Sequence, residues 1–454
     1  MLQSVVDAFR LPDLRRRILF TLGMLMIFRL IAHIPAPNVN PAALAGLQDA
    51  LANNQLAQLL NLFAGGALQQ LSVASMGVYP YITATIITQL LQPLIPALAD
   101  LQKEGEQGRM KLNRINFWLT VPLAYLQAYG QTNTLNVFAG AQQSLFRSEF
   151  NIVTNFFPTF TIVTTMVAGT MLLIWLGEQI QERGIGNGIS IIIFAGIVST
   201  LPSLIFQTFS TLTFGAQQII GILVFLVIAL FTIVGIVLVQ QGERRVQVQY
   251  AKQMRGNRIY GGQTSFIPLK VNMAGMIPLI FAQSIIIFPG TVASYFCPTG
   301  QAGTNAGIPE QIACFTYRTF SPQVAGNVQT GGSLVYSILL FLLVVGFTYF
   351  YTMVIFNQQN IPDTLRRNGG FIPGMRPGKR TEDHLSRIIY RITLVGALFL
   401  GLVAVLPFIT QLVTRVQIGL SATALLIVVG VAIDTMKQIE AQLLARQYSG
   451  FIKR

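Results

Sequence analysis

Ionised side chains are nearly absent from ten long stretches of this chain, seven of which contain none at mid-depth, and the charges between those stretches gather on alternate loops. Only 10% of the 454 residues are charged and 52% are hydrophobic, whereas a soluble domain carries about 25% charged residues. A membrane span needs roughly 20 predominantly apolar residues. Such stretches lie near 18–34, 75–97, 115–137, 152–177, 188–208, 216–239, 271–296, 333–356, 386–410 and 416–438. Lipid offers no partner for a free N–H or C=O group, so each must be helical. The expected fold is an all-α polytopic membrane protein with ten transmembrane helices.

The basic residues set the orientation. With the N-terminus inside, the inner segments hold 25 of the 30 Lys and Arg residues, and the outer segments hold only Arg147, Arg318 and Arg415. Arg29 and Arg391, near span ends, complete the set. Both termini are therefore expected on the cytoplasmic side. The net charge of +14 is largely this bias and needs no nucleic acid to explain it. The apolar run after Arg17 leads past Pro35 and Pro37 into further spans, so it reads as an uncleaved first helix.

Spans one to five and six to ten divide the chain into halves of similar length, 1–210 and 211–454. Five is odd, so the two halves run in opposite senses through the membrane. Inverted halves of this kind build a path between them. Segment 56–74 breaks the pattern. It is apolar, too short to span and carries Gly65 and Gly66 in its middle. Such a piece is either buried in protein or lies on the membrane surface as an interfacial helix. From the residues alone the surface reading is preferred.

Two inner loops, 240–270 and 357–387, are long, basic and rich in turn formers. The first alternates Val246, Val248 and Tyr250, a strand-like period. Two ordered basic fingers fit an acidic or nucleic-acid-bearing docking partner, although the positive-inside bias alone also places cations there.

The residues needed for covalent chemistry do not assemble. Asp434 is the one acid clearly within a span, and Lys437 at i+3 is its natural partner. His33 and His384 fall on opposite sides of the membrane, so no metal site is expected. Gly184-Ile-Gly-Asn-Gly188 lacks the lysine and preceding strand of a phosphate loop and reads as a tight turn opening the fifth span. Cys297 and Cys314 both fall in the outer loop 297–332, where a disulfide and two unpaired thiols fit equally well. Val78 and Ile82, and Ile189 and Ile193, are apolar pairs four apart, each on one helix face. Periodicity does not single them out from dozens of others.

Five motifs resemble the SecY family: Asn61-Leu-Phe-Ala-Gly-Gly-Ala-Leu68; Pro80-Tyr-Ile-Thr-Ala-Thr-Ile-Ile87 leading to Lys103-Glu-Gly-Glu106; Glu182-Arg-Gly-Ile-Gly-Asn-Gly-Ile-Ser190; Pro268-Leu-Lys-Val-Asn-Met-Ala-Gly275; and Phe371-Ile-Pro-Gly-Met-Arg-Pro-Gly378. The resemblance covers nearly the whole chain. It implies a clamshell of two inverted five-helix halves and a passive channel for unfolded polypeptides, which also releases apolar segments sideways into the bilayer.

Segment 59–71 then becomes a short re-entrant plug helix, with Leu60, Asn61, Phe63, Gly65 and Gly66 in it. The resemblance assigns a pore ring to Val78, Ile82, Ile189, Ile193, Ile280 and Ile427. A narrow aliphatic ring dewets and so resists ions at rest. It assigns a lateral gate to Gln89, Asn187 and Asn272. It assigns docking to Arg244, Arg245, Arg255, Arg258, Arg376, Lys379 and Arg380.

The partners implied are the SecA motor, the ribosome, SecE-type and SecG-type membrane subunits, signal sequences and the lipid bilayer, with no cofactor. The location implied is a bacterial plasma membrane, or a thylakoid membrane in a photosynthetic source. Two rivals remain from the residues. An ion-coupled transporter suits inverted halves but lacks mid-membrane acids. An insertase scaffold would lack a through-pore.

Overall fold

The computed structural model describes residues 11–41, 44, 61, 64–92, 94–138, 145–147, 150, 154–210, 216–250, 253–255, 258–260, 264–296, 308–320, 332–359, 361–367, 369–375, 378–414 and 422–452. Each expected span falls on a helix. These are α1 (Pro12–His33), α2 (Tyr79–Leu91), α4 (Glu106–Phe138), α5 (Phe156–Arg183), α6 (Gly188–Ser210), α7 (Ala216–Gln241), α8 (Ile277–Phe296), α10 (Gly332–Gln359), α12 (Lys379–Thr414) and α13 (Ala422–Ile452). Shorter helices are α3 (Pro96–Lys103), α9 (Ile308–Phe320) and α11 (Ile361–Arg367). By length and composition, Phe156–Arg183, Leu223–Gln241, Leu334–Phe356 and Lys379–Thr410 are long and apolar enough to cross a membrane.

The helix ends differ from the apolar limits for a simple reason. Hydropathy marks where a helix is apolar, not where its backbone stops. Thus α4 begins at Glu106 and α12 at Lys379, both ahead of the expected spans, because charged residues continue the helix beyond the apolar layer. In the opposite direction, residues 271–276 are not helical, and α8 starts only at Ile277. Gly275 lies just before it at φ +64°, a left-handed conformation that glycine adopts without steric cost. Likewise α2 starts at Tyr79, so Val78 is its N-cap and not a residue of the helix body.

The chain clusters into two compact units: residues 1–215 with 294–301 and 417–454, and residues 216–293 with 302–416. In the first, α1 packs on α5 and α6, α4 on α2 and α5, and α13 on α6. Leu14, Ile185 and Ile439 form a small core among them. In the second, α10 and α12 run against each other. A Cβ added at Gly401 would lie 2.7 Å from the Phe341 ring, so the two helices approach closely there.

The second unit also carries the strands β1 (Glu243–Tyr250), β2 (Gln253–Arg255), β3 (Arg258–Tyr260), β4 (Thr264–Lys270) and β5 (Gly370–Phe371). A three-stranded antiparallel sheet has the order β4-β1-β5. The two inner loops read as basic fingers are joined in this sheet. β1 and β4 come from the first loop, and β5 from the second pairs Gln249 with Phe371 and Tyr250 with Gly370. Val246 and Val248 point into a core with Leu269, Phe356, Leu365, Ile372, Leu385 and Ile389. The alternation in β1 is thus a half-buried strand, with Arg244, Arg245 and Gln247 exposed.

Candidate functional site

The site is built on a turn between the first two spans. Asn61 is buried, Ala64 to Gly66 form a turn, and Ala67–Gln70 form one 3₁₀ turn. Leu60 and Phe63 lie outside the described residues. In its described part, the short helix expected over 59–71 is helical at Asn61 and then passes into a tight turn at 64–66 and a 3₁₀ turn at Ala67–Gln70. Gly65 at φ +66° and Gly66 at φ +83° require conformations that a Cβ disfavours. The Gly66 amide donates to the Asn61 carbonyl at 2.9 Å, and the Ser72 amide donates to the Ala67 carbonyl at 3.1 Å.

This segment is buried in protein. Leu68 and Leu71 are 0% exposed, which overturns the surface-helix preference drawn from the residues alone. Three neighbours hold it. The Arg29 guanidinium on α1 donates from Nη1 to the Gly65 carbonyl at 2.9 Å. A Cβ on Gly196 of α6 would lie 2.5 Å from Gly65 Cα, and a Cβ on Gly65 would lie 2.8 Å from both Gly196 Cα and Phe28 Cζ. Backbone therefore meets backbone at this point. One polar atom goes unserved: Asn61 Oδ1 is buried with no hydrogen-bond partner among the described residues.

Sequence reasoning missed Arg29 and Gly196. Arg29 carried a usable signal, since a charge within a span marks a functional position. A glycine in the apolar run Ile191–Val198 is the small residue that lets backbones approach.

The residues assigned to the ring are found as follows. Val78 is fully buried at the N-cap of α2, and its carbonyl accepts from the Ile82 amide at 3.1 Å. Ile82 is half-buried. On α6, Ile193 is buried and Ile189 half-buried, with Ile189 Cγ1 3.0 Å from the place a Cβ on Gly177 would take. Ile427, on the neighbouring α13, is fully buried. Ile280 on α8 is buried as well.

The gate residues differ among themselves. Gln89 is half-buried on α2. Asn187 precedes α6, and its Oδ1 accepts from the Ser190 amide at 3.2 Å, which is the bond of a helix N-cap. Asn272 stands in the non-helical approach to α8. Its Nδ2 donates to the Gly275 carbonyl at 3.1 Å, and its buried Oδ1 has no partner among the described residues. The turn at 184–186 is docked onto α1, where the Thr21 hydroxyl accepts from the Ile185 amide at 3.2 Å.

The capping role gives a direct expectation. Asn187→Ala should destabilise the protein by about 0.5–2 kcal/mol, read as a lower melting temperature. Asn187→Asp, which keeps the acceptor, should recover most of it. Equal melting for all three would remove the cap from the account.

Of the docking residues, Arg244 and Arg245 are exposed on β1, and Lys379 and Arg380 are exposed at the start of α12. Arg245 Nε donates to Glu243 Oε1 at 2.9 Å, an exposed pair that contributes about 0–1 kcal/mol. Arg255 and Arg258 pair across the β2–β3 hairpin. Arg376 lies outside the described residues, as does Cys297. Cys314 is buried and disulfide-bonded. Among the described residues, no group of His, Cys, Asp and Glu could hold a metal ion.

Apolar helices of membrane-spanning length, a buried turn between the first two spans and basic strands on the inner loops define a polytopic membrane protein. Comparison narrows this. The SecY family model matches residues 72–436. Protein translocase subunit SecY of Halalkalibacterium halodurans is 43% identical over 473 aligned positions, with 100% of each chain covered. Two solved structures share the fold at 16% identity, each covering 95% of this chain and 93% of their own. One is a SecY channel whose plug domain stabilises the closed state and maintains a membrane seal, with a TM-score of 0.58. The other is Sec61 in the canine ribosome-channel complex of the endoplasmic reticulum, with a TM-score of 0.57. The chain belongs to the SecY family.

Proposed function

We infer that this chain is a protein-conducting channel, which passes unfolded polypeptides across a membrane and releases apolar segments into the bilayer. The observation that carries the reading is family membership over the whole chain. An ion-coupled transporter is not favoured beside it. The chain sits in a membrane; its bacterial relatives support the bacterial inner membrane, and the distribution of basic residues supports both termini cytoplasmic. The halves 1–210 and 211–454 serve as the inverted repeats.

Segment 59–71 acts as the plug. Its support is the complete burial of Leu68 and Leu71 and the hold that Arg29 and Gly196 keep on Gly65. Val78, Ile82, Ile189, Ile193, Ile280 and Ile427 form the ring, which seals by dewetting. Gln89, Asn187 and Asn272 belong to the lateral gate, where interhelical polar contacts contribute only about 0.6 kcal/mol each. An entering apolar segment competes with bonds of that size. Cys297 is the partner of Cys314.

The basic sheet is the docking surface for the ribosome and a SecA-type motor, and SecE-type and SecG-type subunits complete the complex. One placement supports docking, because local energetics oppose it. Lys379 and Arg380 open α12, where the helix dipole disfavours cations.

Planar-bilayer conductance of the purified complex tests the plug. The intact complex should be silent at rest, and deletion of residues 60–71 should make it flicker open. Silence from both, under conditions in which a translocating complex conducts, would return the segment to a purely structural role.

A further inference from the structure

Helix α9 lies in the 297–332 loop, which the channel mechanism does not use. It is thirteen residues long, Ile308–Phe320. Ile308, Ile312 and Phe315 are 75%, 61% and 70% exposed. At 3.6 residues per turn these positions share one face. Cys314 and Tyr317 fall on the opposite face and are buried, 3% and 8% exposed. The helix thus presents three large apolar side chains outward and is held from behind, by packing against α10 and by the disulfide of Cys314.

What covers the exposed face is indicated by the helix on which α9 packs. α10 is a membrane span, and its first turns expose Leu334, Val335 and Ile338, side chains that in a ten-span protein of this family meet acyl chains. α9 packs on this same helix. Neither charged residue of α9 falls among these three positions on the helix wheel: Glu310 lies on the opposite side, and Arg318 lies about a quarter-turn away.

We propose that α9 is a membrane-surface anchor. Its Ile308–Ile312–Phe315 face lies in the boundary between headgroups and acyl chains, where such helices sink about 5–10 Å. The occupant of the face is lipid. The disulfide of Cys314 sets the rotation of the helix, so that this face and no other meets the bilayer. The loop thereby tethers the end of α10 to the membrane surface.

The test places a single tryptophan on the face. Trp118 and Trp175 are replaced by phenylalanine, and Ile312→Trp or Phe315→Trp is added to the full chain with its partner subunits. The complex is reconstituted in phosphatidylethanolamine–phosphatidylglycerol vesicles, with acyl chains brominated near the glycerol or left unmodified. Brominated lipid should quench most of the emission, and aqueous acrylamide should quench little. Emission lost to acrylamide and indifferent to bromine would show a face in water and overturn the proposal. Emission shielded from both would show a face covered by protein and overturn it equally. The electrophoretic shift on reduction of the Cys314 disulfide reports, in each variant, that the loop has folded.

Discussion

Gly196→Ala is expected to leave the resting channel leaking. Alanine normally favours a helix over glycine by about 1 kcal/mol, so on propensity alone the substitution should help α6. The contact with Gly65 reverses the sign. The added Cβ falls 2.5 Å from Gly65 Cα and 3.3 Å from Gly65 N, atoms of a backbone that has no side chain to swing away. The turn at 64–66 must move off α6, and the Arg29 bond to the Gly65 carbonyl lengthens with it. Overpacking of this kind costs about 1–3 kcal/mol, which is a factor of about 5–150 in a two-state equilibrium. Resting conductance measures it directly. Gly130→Ala, where an added Cβ meets nothing within 4 Å, serves as the control and should stay closed. A Gly196→Ala channel as silent as that control, at unchanged melting temperature, would show that the close approach does not hold the plug.

The second large effect is expected at Val248→Asp. Val248 is 1% exposed in the core shared by both inner loops, and a carboxylate there has no partner. An uncompensated buried charge costs about 3–5 kcal/mol, enough to undo a sheet whose third strand is two residues long. The diagnostic is where the damage appears. Limited proteolysis in vesicles should cut not only 240–270, which carries the substitution, but also 357–387, whose β5 loses its neighbour. Gln247→Asp, on the exposed face of the same strand, should leave both loops protected. Cleavage confined to the first loop would mean that the two loops stand independently. On the proposed docking role, motor-dependent export is expected to fall with the sheet.

Much of this architecture is legible in the sequence, and the reason is lipid. An apolar run such as 216–239 has one permitted conformation in a bilayer, and α7 follows it closely. The cap at Asn187 is also a local signal, because residue type and helix start fall together. Failures occur where the determining contact is distant. Nothing near Gly65 announces Gly196 of α6, so burial of the short segment could not be read from its own residues. Nothing in Gly370-Phe371 announces β1, and a two-residue strand has no period to detect. The ring residues illustrate a third limit. Val78 and Ile193 are buried, but so are many aliphatic residues of a helical bundle, and burial alone confers no role.

The joined sheet has a consequence for biosynthesis. Strands β1 and β4 emerge together and can pair at once, since their register closes within a single loop. β5 emerges much later, after α8 and α10 have been made. The nascent channel therefore carries an incomplete platform until both of those helices have been inserted and the chain has returned to the side where it began. Contacts so far apart along the chain form late. On the proposed docking role of the sheet, a half-made channel is thus not yet ready to receive a partner: that surface is finished only when most of the membrane-embedded chain is in place.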